Sequence, residues 1–360
     1  MNKFFLKLIL FSSPILLVVC AHALFIPADS IYFRNWEAFR PKIFFDYYSG
    51  PFYPSMKIEK IEKGDLAPHT DLAVTKKVIW ETDKYGFRTS GTKTAYDIVI
   101  VGDSNITGSG LTQEDTLSEM LERRLGLSVY PYAPSTIENF LRDKRFVSDM
   151  PKIVIFSSIE RSLPDLKAPA LSDLEAETKP SKNIFSSAME RFKSDTPLTS
   201  LVNLFDQSFD PRIIEYLLRQ ITHVSPPPLY KYASGNTLFL QGDAANADIP
   251  AAQVQEVADS IERYSDAFKQ IGARMIFLPI PNKENIYYEM LPSKKKPLFL
   301  GDLISEVRAR GIDIVDLQEY FRNAYEKNGQ ALYHADDTHW NASGVNIAAD
   351  AIADYLIKNP

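Results

Sequence analysis

The chain has 360 residues, 45% apolar and 24% charged, with a net charge of −6. This is ordinary globular composition with enough apolar sequence for a full core. It excludes a nucleic-acid partner, because no clustered Lys/Arg stripe is present and the longest basic run is Lys294-Lys295-Lys296. The one cysteine, Cys20, lies in the N-terminal apolar stretch, so the folded body has no disulfide, thiolate metal site or cysteine nucleophile.

Lys3 and Lys7 precede an uncharged run from Leu8 to Ile26, about the ~20 residues that span a bilayer. Ala21-His22-Ala23 also matches a small-x-small cleavage site. Residues 1–26 are therefore read as a signal peptide or a membrane anchor, with the uncleaved anchor preferred. Positive charge on the N-terminal side directs the body outward in both cases, to the periplasmic or extracellular face. Residues 27–92 form an aromatic-rich accessory region punctuated by Gly and Pro. A few short strands packed on the main domain are expected there, or else a membrane-proximal or glycan-contacting surface.

From residue 93 the pattern becomes regular. Asp97-Ile98-Val99-Ile100-Val101 reads as a buried strand ended by Gly102. Leu117, Met120, Leu121 and Leu125 have helical spacing. Leu127–Tyr130 reads as a short strand, Asn139–Val147 as a helix and Ile153–Phe156 as another buried strand. Residues 163–245 break this rhythm and read as a mostly helical insertion, a candidate lid. Val254, Val257, Ile261, Tyr264 and Phe268 then mark a helix face. Met275–Leu278 is a strand; Leu303, Val307 and Arg310 lie on a helix; Ile312–Val315 is a strand; Val345–Leu356 is the last helix. Buried strands alternating with amphipathic helices predict a three-layer α/β/α, flavodoxin-like domain over residues 93–360, with a mainly parallel sheet.

Gly102-Asp103-Ser104 directly follows the first of these strands. In a parallel sheet the carboxyl ends of the strands face the ligand, which displays Ser104 at a cleft mouth; the competing role for Ser104 is a helix cap. Near the other end lies Asp336-Asp337-Thr338-His339-Trp340-Asn341. A serine needs a base to become a nucleophile, His339 suits that task, and an acid nearby in sequence can fix its tautomer. The candidate acids are Asp337 and Asp336, the competing role again being a cap for the last helix. Of the five histidines only His334 and His339 are close, and neither a metal site nor a cofactor is expected. No phosphate loop or dinucleotide fingerprint is present.

The two blocks, Gly102-Asp103-Ser104 and Asp337-Thr338-His339-Trp340, resemble the first and last blocks of the SGNH/GDSL hydrolase superfamily. Thr82-Asp83-Lys84-Tyr85-Gly86-Phe87-Arg88 is similar to a segment that precedes the serine block in exported bacterial members. Leu278-Pro279-Ile280-Pro281-Asn282-Lys283, with Tyr287, is similar to the SGNH-like domains of alginate O-acetyltransferases and related polysaccharide acetyltransferases. The resemblance spans roughly residues 80–360. It implies Ser104 as nucleophile, His339 as base and Asp337 as orienting acid, with Asp336 the alternate.

Where the superfamily supplies an oxyanion glycine and asparagine, this chain has Tyr132-Ala133-Pro134-Ser135 and Ser157-Ser158-Ile159-Glu160-Arg161. Its serine also precedes Asp-x-His, the reverse of the alginate enzymes. Oxyanion and binding candidates are Gly102, Asp103, Ser158, Arg161 and Trp340. The function implied is O-acetyl transfer to an exported polysaccharide, with a membrane-bound O-acyltransferase as acyl donor. The alternatives are an esterase with water as acceptor, or a non-catalytic glycan-binding or assembly protein.

Overall fold

The computed structural model describes residues 2–25, 37, 39–40, 50–91, 93, 95–147, 149–169, 204–208, 210, 212–222, 227–246 and 248–359. They fall into two units. The first comprises Met1–Met56, Thr82–Gly86 and Lys182–Pro227; the second comprises Lys57–Glu81, Phe87–Ser181 and Pro228–Pro360. The second unit thus takes in Lys57–Glu81 from the accessory region.

In the first unit, the helix Asn2–Phe25 contains a segment, Lys3–Ala21, that is long and apolar enough to cross a membrane, with a mean hydropathy of 2.3. Elsewhere in the unit the chain around Tyr53 is laced to the Thr82–Gly86 segment. Thr82 donates its amide to the Met56 carbonyl and its hydroxyl to the Tyr53 carbonyl, and Phe52 donates its amide to the Gly86 carbonyl. Gly86 has φ +85°, and a Cβ there would lie 2.2 Å from the Phe52 carbonyl oxygen, so this close approach needs glycine.

The second unit is built on a four-stranded parallel sheet. Strands β1 (Lys57–Glu62) and β2 (Lys76–Glu81) form a separate antiparallel ribbon. The sheet itself consists of β3 (Ile98–Val101), β4 (Val129–Tyr132), β5 (Ile153–Ile159) and β8 (Arg274–Ile280), in the order β4-β3-β5-β8. The short hairpin β6 (Tyr232–Ser234) and β7 (Thr237–Phe239) precedes β8. Val101 is level with Tyr132 on one side and Phe156 on the other, and Phe156 with Phe277.

Alternation along the strands explains why both faces are covered. Ile98, Ile100, Ile155, Ile276 and Leu278 point into a core shared with Leu117 and Leu121 of helix Leu117–Leu125 and with Val345 and Ile352 of helix Ala342–Lys358. Phe156, one residue on from Ile155, points the other way and packs edge-on to Tyr264 of helix Ala251–Gln270, ring centroids 5.6 Å apart. The three-layer α/β/α expectation holds. Each sheet strand is within a few residues of its expected position, although β4 lies later and β5 runs on to Ile159.

Two expected elements differ. The helix expected over Asn139–Val147 is two short helices, Ile137–Arg142 and Lys144–Val147. Asp143 breaks it: its backbone is extended and its carboxylate accepts from the Arg145 amide and guanidinium. An aspartate that bonds the chain two residues on competes with helix continuation. Ile312–Val315 makes only a single parallel bridge, Ile314 to Phe277. Asp313 is held there instead by the Arg274 guanidinium and the Tyr355 hydroxyl, each at 2.6 Å. Much of the 163–245 insertion lies outside the described residues, which include helix Arg212–Thr222 and the β6–β7 hairpin.

Candidate active site

From β3 the chain crosses to β4 on one side and later to β5 on the other. The carboxyl end of β3 is therefore a switch point, where a crevice opens in sheets of this kind. Ser104 sits there, partly exposed, as the first residue of the short helix Ser104–Thr107. Asp103 supplies the cap: one carboxylate oxygen accepts from the Asn105 amide and the other from the Ile159 amide of β5, both at 2.8 Å. The helix-cap role considered for Ser104 thus belongs to its neighbour. A Cβ on Gly102 would lie 2.5 Å from Ile106 Cγ1, so glycine lets this helix pack onto the strand end. Arg88, from the Tyr-Gly-Phe-Arg lead-in, is buried under the loop that follows Ser104 and donates to the Thr107, Leu111 and Ile79 carbonyls.

His339 arrives from the turn between Tyr333 and Trp340, which a β-bridge closes. Its Nε2 is 2.7 Å from Ser104 Oγ, and its Nδ1 is 2.6 Å from Asp337 Oδ1. His339 and Asp337 are buried. Asp337 also accepts the His339 amide, which fixes carboxylate and ring as one unit. With Nδ1–H donated to Asp337, Nε2 is left to accept the serine proton. Burial pushes the Asp337 carboxyl up, but the His339 charge, its hydrogen bond and Lys76 outweigh this and hold it well below the usual carboxylate range.

Asp336, the alternate acid, faces the other way. Its carboxylate accepts from the Gly64 amide at 2.8 Å, the Val74 amide at 2.7 Å and Lys76 Nζ at 3.1 Å. The Leu278–Lys283 segment with Tyr287 braces the same turn from β8. Lys283 Nζ donates to the His334, Ala335 and Asp337 carbonyls, at 2.7, 2.9 and 3.2 Å, and Tyr287 accepts the Leu332 amide. Burial pushes the Lys283 amine down to about 8.

The remaining candidates take different places. Trp340 is wholly buried, and its indole N–H donates to the Asn105 carbonyl, so it packs behind the nucleophile helix. The Gly102 carbonyl accepts the Ser135 amide, which joins the β3 and β4 ends. Ser158 Oγ makes one long contact to the Ile159 carbonyl, and the Arg161 amide donates to Asn282. The Ser104 amide, in the first helical turn, has no intrahelical acceptor and is the natural oxyanion donor.

Two further acids were invisible to the sequence pattern. Glu160 is buried and accepts from the Asn282 amide and the Asn285 side chain; burial pushes it up to about 7. Asp65 is buried against Thr338 and lies 3.8 Å from His339 Nδ1. Asp65, Asp337 and His339 offer ligand atoms within 4.8 Å of one another, close enough for a metal ion. In the arrangement described, however, Nδ1 carries the proton given to Asp337 and has no lone pair for a cation.

The fold and this site define an α/β domain with a parallel sheet and a serine, a histidine and an aspartate gathered at its switch point. Residues 236–360 match the family model described as the SGNH hydrolase-like domain of acetyltransferase AlgX. The matched stretch contains Lys283, Asp337 and His339; Ser104 precedes it. No curated protein sequence matches the chain. One solved crystal structure aligns over 74% of this chain and 98% of its own, at 10% identity and a TM-score of 0.33, too low to support an argument.

Proposed function

We propose that this protein is a serine-dependent O-acyltransferase that moves an acetyl group onto an exported or cell-surface polysaccharide. The observation that carries this reading is the Ser104–His339–Asp337 relay at the switch point of the parallel sheet. Ser104 Oγ attacks the acyl carbonyl of the donor while His339 Nε2 takes its proton. The leaving group departs with that proton, and an acyl-Ser104 ester remains. A sugar hydroxyl then gives its proton to His339 and takes the acyl group, and His339 passes that proton to Ser104 Oγ, which restores the resting state. Acetyl as the transferred group is supported by the match of residues 236–360 to a family described by an acetyltransferase; a polysaccharide as acceptor is supported by the resemblance of the Leu278–Lys283 segment to polysaccharide acetyltransferases. The apolar run from Leu8, with Lys3 and Lys7 on its N-terminal side, supports a position of the body outside the cytoplasmic membrane. Anchored there, the site can meet a membrane-bound O-acyltransferase that delivers the acyl group.

A fluorophosphonate probe tests the nucleophile. The expected result is labelling of the wild-type chain and none of Ser104→Ala, whose melting temperature stays within a degree or two. Equal labelling of both refutes it. The acceptor is read by offering the unlabelled enzyme p-nitrophenyl acetate with and without a de-O-acetylated polysaccharide. Acetyl esters on the glycan support transfer; release of acetate alone, whatever the glycan, marks an esterase.

A further inference from the structure

We propose that Asp65 is a second carboxylate of the catalytic base, a positioning residue that faces the imidazolium formed when His339 takes the Ser104 proton. The inference rests on the reading of His339 as a general base. Asp65 lies between β1 and β2, and accepts both the Thr338 amide at 2.9 Å and the Thr338 hydroxyl at 2.8 Å. A carboxyl group that receives two donors is held as the anion. Because the Thr338 hydroxyl hydrogen goes to Asp65, its lone pairs are left towards His339 Nδ1, 3.5 Å away. Asp65 Oδ2 itself is 3.8 Å from the same nitrogen. The Nδ1–H therefore looks onto Asp337 at 2.6 Å and, behind it, onto a second buried anion.

The placement of Asp65 is enforced. The Gly64 amide donates to Asp336, and the Leu66 amide donates to the Asp336 carbonyl, so the residues on either side of Asp65 are pinned to the turn that carries His339. A Cβ on Gly64 would lie 2.2 Å from the Asp336 carbonyl oxygen, so only glycine permits this approach. The other charges around the ring are already engaged. Lys76 pairs with Asp336, Lys283 is spent on three carbonyls, and Asp103 is spent on the Ile159 and Asn105 amides. His334 is pushed down to about 4 by burial and by Lys76, and is neutral at pH 7. When His339 takes the Ser104 proton, the imidazolium thus faces two buried anions, Asp337 and Asp65.

The test is an NMR titration of the His339 ring nitrogens in the full-length, 15N-histidine-labelled protein in detergent, comparing wild type with Asp65→Asn. Asparagine keeps an acceptor for the Thr338 amide and removes the charge. In Asp65→Asn the His339 titration and the acid limb of kcat/KM for p-nitrophenyl acetate should move together to lower pH, with KM unchanged. Asp65→Ser, also neutral, should reproduce the fall, and Asp65→Glu should restore most of it. An unchanged His339 titration in either folded neutral variant overturns the proposal and leaves Asp65 as a structural acceptor for Thr338. The titration needs no turnover, so a chain in which Ser104 proves unreactive sinks the transferase reading alone.

Discussion

Exchanging the two neighbouring aspartates for asparagine, one at a time, separates chemistry from architecture. Asp337 is 2.6 Å from His339 Nδ1, with both groups buried. In Asp337→Asn the amide NH2 faces that nitrogen, the ring turns to the tautomer with Nε2 protonated, and Ser104 loses its proton acceptor. Turnover should fall on the order of 10⁴, the loss seen when a triad acid is so replaced, or about 5 kcal/mol on the barrier. Asp336 instead closes two backbone amides and Lys76 Nζ, with the Asp336 side chain almost wholly buried. Breaking a buried pair of this kind costs about 3 kcal/mol of stability. Asp336→Asn should therefore lower the melting temperature by several degrees while turnover below the transition stays within a few-fold of wild type. Initial rates on p-nitrophenyl acetate at 25 °C, beside thermal melts of the same samples, give both numbers. A crippled Asp336→Asn with a near-normal Asp337→Asn would refute the assignment of the orienting acid.

Three further outcomes follow from the bracing around the site. Glu160 is raised to about 7 in the folded protein, so the folded state binds more protons than the unfolded chain between about pH 4.5 and 7. Its contribution is fully present below that window and is lost as pH rises through it; urea unfolding should show Glu160→Gln gaining about 3 kcal/mol on wild type from pH 5 to 8, and parallel curves would show that Glu160 is not protonated. Lys283→Met should leave three carbonyls of the histidine turn without their shared donor, lowering stability by about 3 kcal/mol and broadening the His339 NMR signal; a sharp, unmoved signal would count against the brace. Gly64→Ala forces backbone against the Asp336 carbonyl at a cost of about 1–3 kcal/mol, and should reduce turnover as well, since it displaces the Asp65 segment; a melt identical to wild type would show that the approach is not tight.

What the sequence determined by itself was local. Five runs read as strands between helical spacings, and four of them form the sheet, because period and burial are written into neighbouring residues. Ser104 stood out because Gly-Asp-Ser directly ends such a run, and His339 because an acid two residues earlier reaches its ring along the chain. Lys283 was marked only by resemblance; its reason, a cation capping three carbonyls of a distant turn, appears only on folding. The resemblance pointed to Asp337 over its neighbour; tertiary structure supplies the reason, by placing Gly64, Val74 and Lys76 against Asp336 and leaving Asp337 to the ring. It also brought in Asp65, whose bond to Thr338 closes a gap of 273 residues. No periodicity or motif spans such a gap. A buried carboxylate is recognised by the donors around it, and those donors come together only when β1 and β2 are laid beside the histidine turn.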